Sequence, residues 1–142
     1  MSTLAWWIVL VPALLAAAID VRSRRIPNVI VGPALLVVLA LSLWQGVAIA
    51  AVIGMVVAGL IGVVARLAAR GGFGVGDVKL LAYSGAAVGI GGVGSLLLGT
   101  ALGGGALGVA YLARSGRGAN VPYGVAITFG LALALLTTHV RG

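Results

Sequence analysis

The sequence predicts an all-α, polytopic membrane protein: a bundle of about six transmembrane helices, amino terminus outside, basic loops cytoplasmic. Three observations predict it. The 142 residues are 62% hydrophobic and 8% charged, with mean hydropathy +1.26, where soluble domains carry about 25% charged residues. Apolar runs long enough to cross a bilayer follow one another with short polar gaps. Eight of the nine Lys and Arg residues then fall on one side of the six-run count, as the positive-inside rule demands.

The runs are residues 3–19, 27–44, 47–65, 78–90, 93–113 and 122–140. About 18 residues at 1.5 Å each cover 27 Å, close to the roughly 30 Å hydrocarbon core. The first run, despite its Ala16-Ala17-Ala18 end, lacks the basic leader of a signal peptide and is expected to stay uncleaved. Pro27 opens the second run, where a helix's first turn loses nothing by a missing N–H. The third carries a small-residue seam, Ala50, Gly54, Ala58 and Gly62, suited to close helix approach in lipid. The fourth, about 13 residues, is short and expected to begin earlier, tilt, or be buried by its neighbours. The fifth repeats the seam with Ser95, Gly99 and Gly103, and a neighbouring stripe with Gly104 and Gly108. Pro122 opens the sixth.

Orientation follows from charge. Arg22, Arg24 and Arg25 follow the first run; Arg66, Arg70 and Lys79 flank the gap before the fourth; Arg114 and Arg117 follow the fifth. Only Arg141 lies opposite. Trp6, Trp7 and Trp44 fall at outer ends and Tyr111 and Tyr123 at inner ends, as interfacial anchors do. A net charge of +7 could suit nucleic acid. The basic residues do not interleave with stacking aromatics, so no nucleic-acid surface is expected. The absence of cysteine excludes disulfides and thiolate metal sites.

Asp20 and Asp77 are the only acids in the chain. Ionisable groups at membrane depth are costly and mark functional paths or sites. Asp20 closes the first run and Asp77 opens the fourth, both at cytoplasmic ends. Taken singly, Asp77 reads as a helix N-cap, and Asp20 as a rim carboxylate paired with Arg22 or Arg24. Taken together, they form the minimum equipment for acid–base hydrolysis. Two facing carboxylates share one proton; the ionised member activates water while the other protonates the carbonyl oxygen. Neither is assigned as acid or base, because the titration belongs to the pair.

Other chemistries lack parts. The single histidine, His139, sits at the outer end without a partner acid and reads as interfacial. No metal cluster, nucleophile triad or cofactor is expected. The run Gly89-Ile90-Gly91-Gly92-Val93-Gly94 matches a dinucleotide fingerprint by letters alone, since no strand precedes it. A different class remains open, a small proton- or cation-coupled transport component using the acids as a relay. A relay belongs near mid-membrane, however, and these acids lie at a rim. A purely structural assembly subunit is the third reading.

Three segments resemble one family. Asp20-Val-Arg-Ser-Arg-Arg-Ile-Pro-Asn28 is similar to the first-aspartate segment of type IV prepilin peptidases. Gly74-Val75-Gly76-Asp77-Val78-Lys79 resembles their Gly-x-Gly-Asp segment, and Pro122-Tyr123-Gly124 the Pro-aromatic-Gly turn opening their last span. The resemblance implies an aspartic peptidase of the bacterial cytoplasmic membrane, cutting basic leaders from pilin precursors on the cytoplasmic side. It maps Asp20 and Asp77 onto the catalytic pair. It matches Pro27, Asn28, Gly74, Gly76 and Lys79 to motif positions without a chemical step. Gly74 and Gly76 are expected to let the backbone turn sharply and to admit an extended substrate strand. Longer members carry a cysteine-paired region associated with methylation. With neither cysteine nor room for it, residues 1–142 are expected to form a single peptidase domain without methyltransferase, like the short members serving tight-adherence (Flp-type) pili. Presenilin-like proteases share Gly-x-Gly-Asp, but place Tyr before their first aspartate where Ile19 stands here.

Overall fold

A computed structural model describes residues 3–70, 72–116 and 121–141. Among them, the regular elements are five helices: α1 (Thr3–Ser23), α2 (Asn28–Trp44), α3 (Ala48–Ala68), α4 (Val75–Ser115) and α5 (Tyr123–Arg141). Four are long and apolar enough to cross a membrane, and α2, at 17 residues, is shorter. The large side chains on the outside are apolar, including Leu36, Leu60 and Leu98. Such a surface suits lipid as its solvent.

The expected fourth and fifth runs are continuous in α4, 41 residues with one non-helical position, Gly89 (φ 63, ψ 176). No separate loop intervenes, because one glycine in left-handed space turns the chain at low steric cost. The contacts on either side show what that turn does. Before it, Val78 and Gly85 pack on Gly62 and Gly54 of α3. After it, Gly92, Gly99 and Gly103 pack on Thr138, Gly130 and Ala126 of α5. Thus α4 doubles back at Gly89, and both arms reach the end of the bundle where Asp20 lies. The short fourth run begins early, at Val75, and is heavily buried at Leu80, Leu81, Tyr83, Ser84 and Ala86.

The seam on α3 works as expected, with Gly54, Ala58 and Gly62 buried, though Ala51 rather than Ala50 completes it. A Cβ on Gly54 would collide with the Gly85 carbonyl, and one on Gly85 would lie 2.5 Å from the Ala58 Cβ. Backbones that close gain dispersion over their whole crossing. The Gly104 and Gly108 stripe is looser: Gly104 faces Ala126, while Gly108 meets open space.

Helix α1 is tied in by polar bonds to its backbone. The Tyr83 hydroxyl donates to the Val9 carbonyl at 2.6 Å, and Thr128 Oγ1 to the Ala13 carbonyl at 3.1 Å. Both carbonyls flank Pro12, whose missing N–H leaves the adjacent Ile8 carbonyl without its ladder bond. Neighbouring helices supply such bonds in membrane bundles. At the far end, His139 stands edge-on to Trp6, ring centroids 5.3 Å apart.

The two ends differ sharply in charge. Arg22, Arg24 and Arg25 after α1, Arg66 and Arg70 after α3, and Arg114 ending α4 gather at the Asp20 end with Lys79. Arg117 lies outside the described residues. Arg24 and Arg70 have left-handed backbones (φ 55 and 45), a conformation that costs a non-glycine residue about 1–2 kcal/mol. At Arg24 that turn ends α1, with its N–H donating to the Asp20 carbonyl at 2.8 Å.

Candidate active site

The two acids meet. Asp20 and Asp77 are both buried, at 7% and 8% exposure, and both line one pocket of about 360 Å³ at the basic end. Arg24, Arg25, Asn28 and Lys79 share the pocket wall.

Helix α1 continues through Asp20 to Ser23, so the carboxyl projects from the last turns of a helix rather than from its end. Its Oδ2 accepts a hydrogen bond from the Gly124 N–H at 3.1 Å. Gly124 lies in the first turn of α5, where N–H groups have no partner within the helix. A Cβ at Gly124 would sit 2.9 Å from that same oxygen, so only glycine brings the backbone this close. Asp20 is thus tied inward to a distant helix start, a contact that the rim reading of this residue did not include.

Asp77 is not an N-cap. Gly74 caps α4, and Asp77 stands three positions further on, its Oδ2 accepting from the Gly74 N–H at 2.7 Å. This is the return half of a capping box. The other oxygen, Oδ1, is buried without a hydrogen-bond partner among the described residues. Buried polar atoms left so are uncommon and point to a functional use. One carboxyl oxygen thus holds the side chain while the other meets no polar partner among the described residues.

The glycines of the motif act by size. Gly74 is extended (φ −78, ψ 164), and Gly76 is helical, so neither makes the sharp turn expected of it. Gly76 instead receives Ile26, whose Cβ would lie 2.8 Å from any Cβ placed there. That contact presses the α1–α2 connection onto the start of α4. Pro27 is the N-cap of α2 (φ −73, ψ 126) rather than its first helical residue, and its carbonyl accepts from Ile30 and Val31. Asn28 thereby begins α2, and its Oδ1 accepts from Lys79 Nζ at 2.8 Å.

Of the motif residues, Asp20, Asn28, Gly74, Gly76, Asp77 and Lys79 come together in the pocket wall, while Pro27 acts through Asn28. Sequence reasoning missed three residues. Gly124 was visible only as part of a turn motif. Phe73 carried no signal, yet it is 7% exposed and its carbonyl accepts from Arg66 Nη1 at 3.2 Å. Tyr123 was expected as an interfacial anchor, but its ring packs on Phe73 with centroids 5.3 Å apart.

Comparison with known proteins identifies the family. No curated protein and no solved structure matches the chain. The type IV leader peptidase family matches residues 7–111, a stretch that holds both aspartates and ends within α4. By that match over most of its length, the chain belongs to the type IV leader peptidase family and is a peptidase by class.

Proposed function

We propose that the protein is a membrane-embedded aspartic endopeptidase that removes leader peptides from Flp-type prepilins at the cytoplasmic face of the bacterial inner membrane. One observation carries the reading: the chain's only two acids converge in one pocket, each held by a backbone N–H. The helices cross the bilayer six times, with α4 contributing two passes joined at Gly89. Gathering of the arginines at the aspartate end supports a cytoplasmic site.

In the reaction, water enters between the carboxyls. The ionised member takes a proton from it as its oxygen bonds to the scissile carbonyl carbon. The protonated member gives its proton to the carbonyl oxygen. Collapse of the tetrahedral diol then breaks the C–N bond: the newly gained proton passes to the leaving amine, and one diol hydroxyl returns its proton to the other carboxylate, restoring the pair. Asp77 Oδ1, free of protein partners among the described residues, is suited to either proton transfer. The ion-relay alternative fits less well, because both acids sit at the basic end rather than at mid-span.

Co-expression with an epitope-tagged Flp-type prepilin tests this. The wild-type chain should shift the prepilin to its shorter form on a gel. Asp20→Asn and Asp77→Asn should each abolish the shift while the protein still inserts. Processing that survives in either variant sinks the pair.

A further inference from the structure

The two backbone donors that hold the carboxyls have something else in common. Phe73 immediately precedes Gly74, and Tyr123 immediately precedes Gly124. Gly74 holds Asp77, Gly124 holds Asp20, and the rings of Phe73 and Tyr123 pack against each other, tilted by 57°. A continuous path therefore runs from one carboxyl to the other through two hydrogen bonds and one ring contact. Resting on the aspartic reading above, we propose that Phe73 and Tyr123 form a positioning pair that sets the separation of the two carboxyls.

Phe73 precedes the start of α4 and belongs to no helix, so no helical ladder registers it against α5. Arg66 reaches its carbonyl from α3 and fixes the main chain on one side. The ring contact with Tyr123 fixes it on the other. Aromatic pairs in tilted geometry are directional as well as apolar, which suits a spacer. An interfacial anchor would turn its ring toward the headgroups, whereas Tyr123 packs against the hydrophobic core. Gly74 and Gly124 lie in separate segments of the chain; the ring pair explains how those two glycines stay in register.

Misplacing a reacting group by about 1 Å can cost about a hundredfold in rate. A spacer should therefore act on kcat and leave substrate affinity alone. In detergent-solubilised enzyme, we expect Phe73→Leu and Tyr123→Leu each to lower kcat for leader cleavage about tenfold or more, with KM within about twofold. The double leucine variant should be no slower than the slower single, since either change breaks the same contact. Tyr123→Phe, which keeps the ring and drops the hydroxyl, should restore kcat relative to Tyr123→Leu. Melting temperatures on the same preparations give kcat per folded molecule. Wild-type kcat per folded molecule in the leucine variants, losses that multiply, a change confined to KM, or no rescue by phenylalanine each overturns the pair. Asp20→Asn and Asp77→Asn run alongside. Cleavage surviving there overturns the catalytic reading itself; its loss, with wild-type kcat in the leucine variants, overturns the ring pair alone.

Discussion

Gly124 donates its backbone N–H to Asp20 across 104 positions of sequence, joining the start of α5 to the last turns of α1. The bond lies in a buried setting, where a carboxyl oxygen left without a donor is costly. Gly124→Ala would put a methyl group 2.9 Å from the accepting oxygen. The carboxyl must then rotate or α5 must retreat. Leader cleavage should fall by about tenfold or more, equivalent to about 1.4 kcal/mol in the barrier. A cleavage time course beside a thermal melt checks it, and an unchanged rate would show that Asp20 needs no such support.

Tyr83 offers the converse case, a buried polar bond away from the chemistry. Its hydroxyl donates to the Val9 carbonyl from a residue 1% exposed. Interhelical bonds in membrane proteins are worth about 0.6 kcal/mol on average and about 1.7 at most. Tyr83→Phe should lower stability by about 1 kcal/mol and leave the rate per folded enzyme intact. Unfolding in a denaturing detergent series measures the first and prepilin processing the second.

Helix crossing at Gly54 should tolerate no side chain. A Cβ there meets the Gly85 carbonyl and lies 2.7 Å from the Gly89 carbonyl carbon, all of it backbone that cannot swing aside. Gly54→Val should cost about 3 kcal/mol, the upper part of the range for overpacking. Gly105→Ala makes the control, since nothing lies within 4 Å of its position and alanine favours a helix. Melting temperatures should fall for the first and hold or rise slightly for the second.

Lys79 and Asn28 close the pocket on its α2 side with a bond of 2.8 Å between exposed side chains. Exposed contacts of this kind are worth about 1 kcal/mol or less. Asn28→Ala and Lys79→Met should show a coupling of that size in a double-mutant cycle on stability. Lys79→Met should reduce cleavage more than Asn28→Ala, because it also removes a cation from the pocket wall. Equal rates for the two variants would mean that the ammonium group acts only by tying α2 to α4.

Much of this protein was readable before any fold was in hand, and for identifiable reasons. Lipid forces apolar runs of nearly fixed length, so a helical membrane protein was legible. Scarcity made Asp20 and Asp77 conspicuous, and charge asymmetry put them at one end. The break expected between the fourth and fifth runs falls beside Gly89, where α4 turns. That a single residue, Gly89, suffices was not legible, because nothing in the letters distinguishes it from Gly91 or Gly92. Roles that depend on distant partners were hidden for the same physical reason. Tyr83 and Thr128 are polar residues within apolar runs, a signal that could have flagged them, but their acceptors are ordinary carbonyls of Val9 and Ala13. Gly76 matters through Ile26, and Gly124 through Asp20, and only folding brings those atoms together.

Because a peptide amide donates to each carboxyl, no substitution can delete either donor short of proline. A saturation scan of Gly74 and Gly124 would therefore record only bulk and backbone fit, with penalties graded by volume and indifferent to polarity. Such a site is hard to detune by degrees. Its supports cannot be swapped for weaker relatives, so drift in reactivity must come from the walls around it.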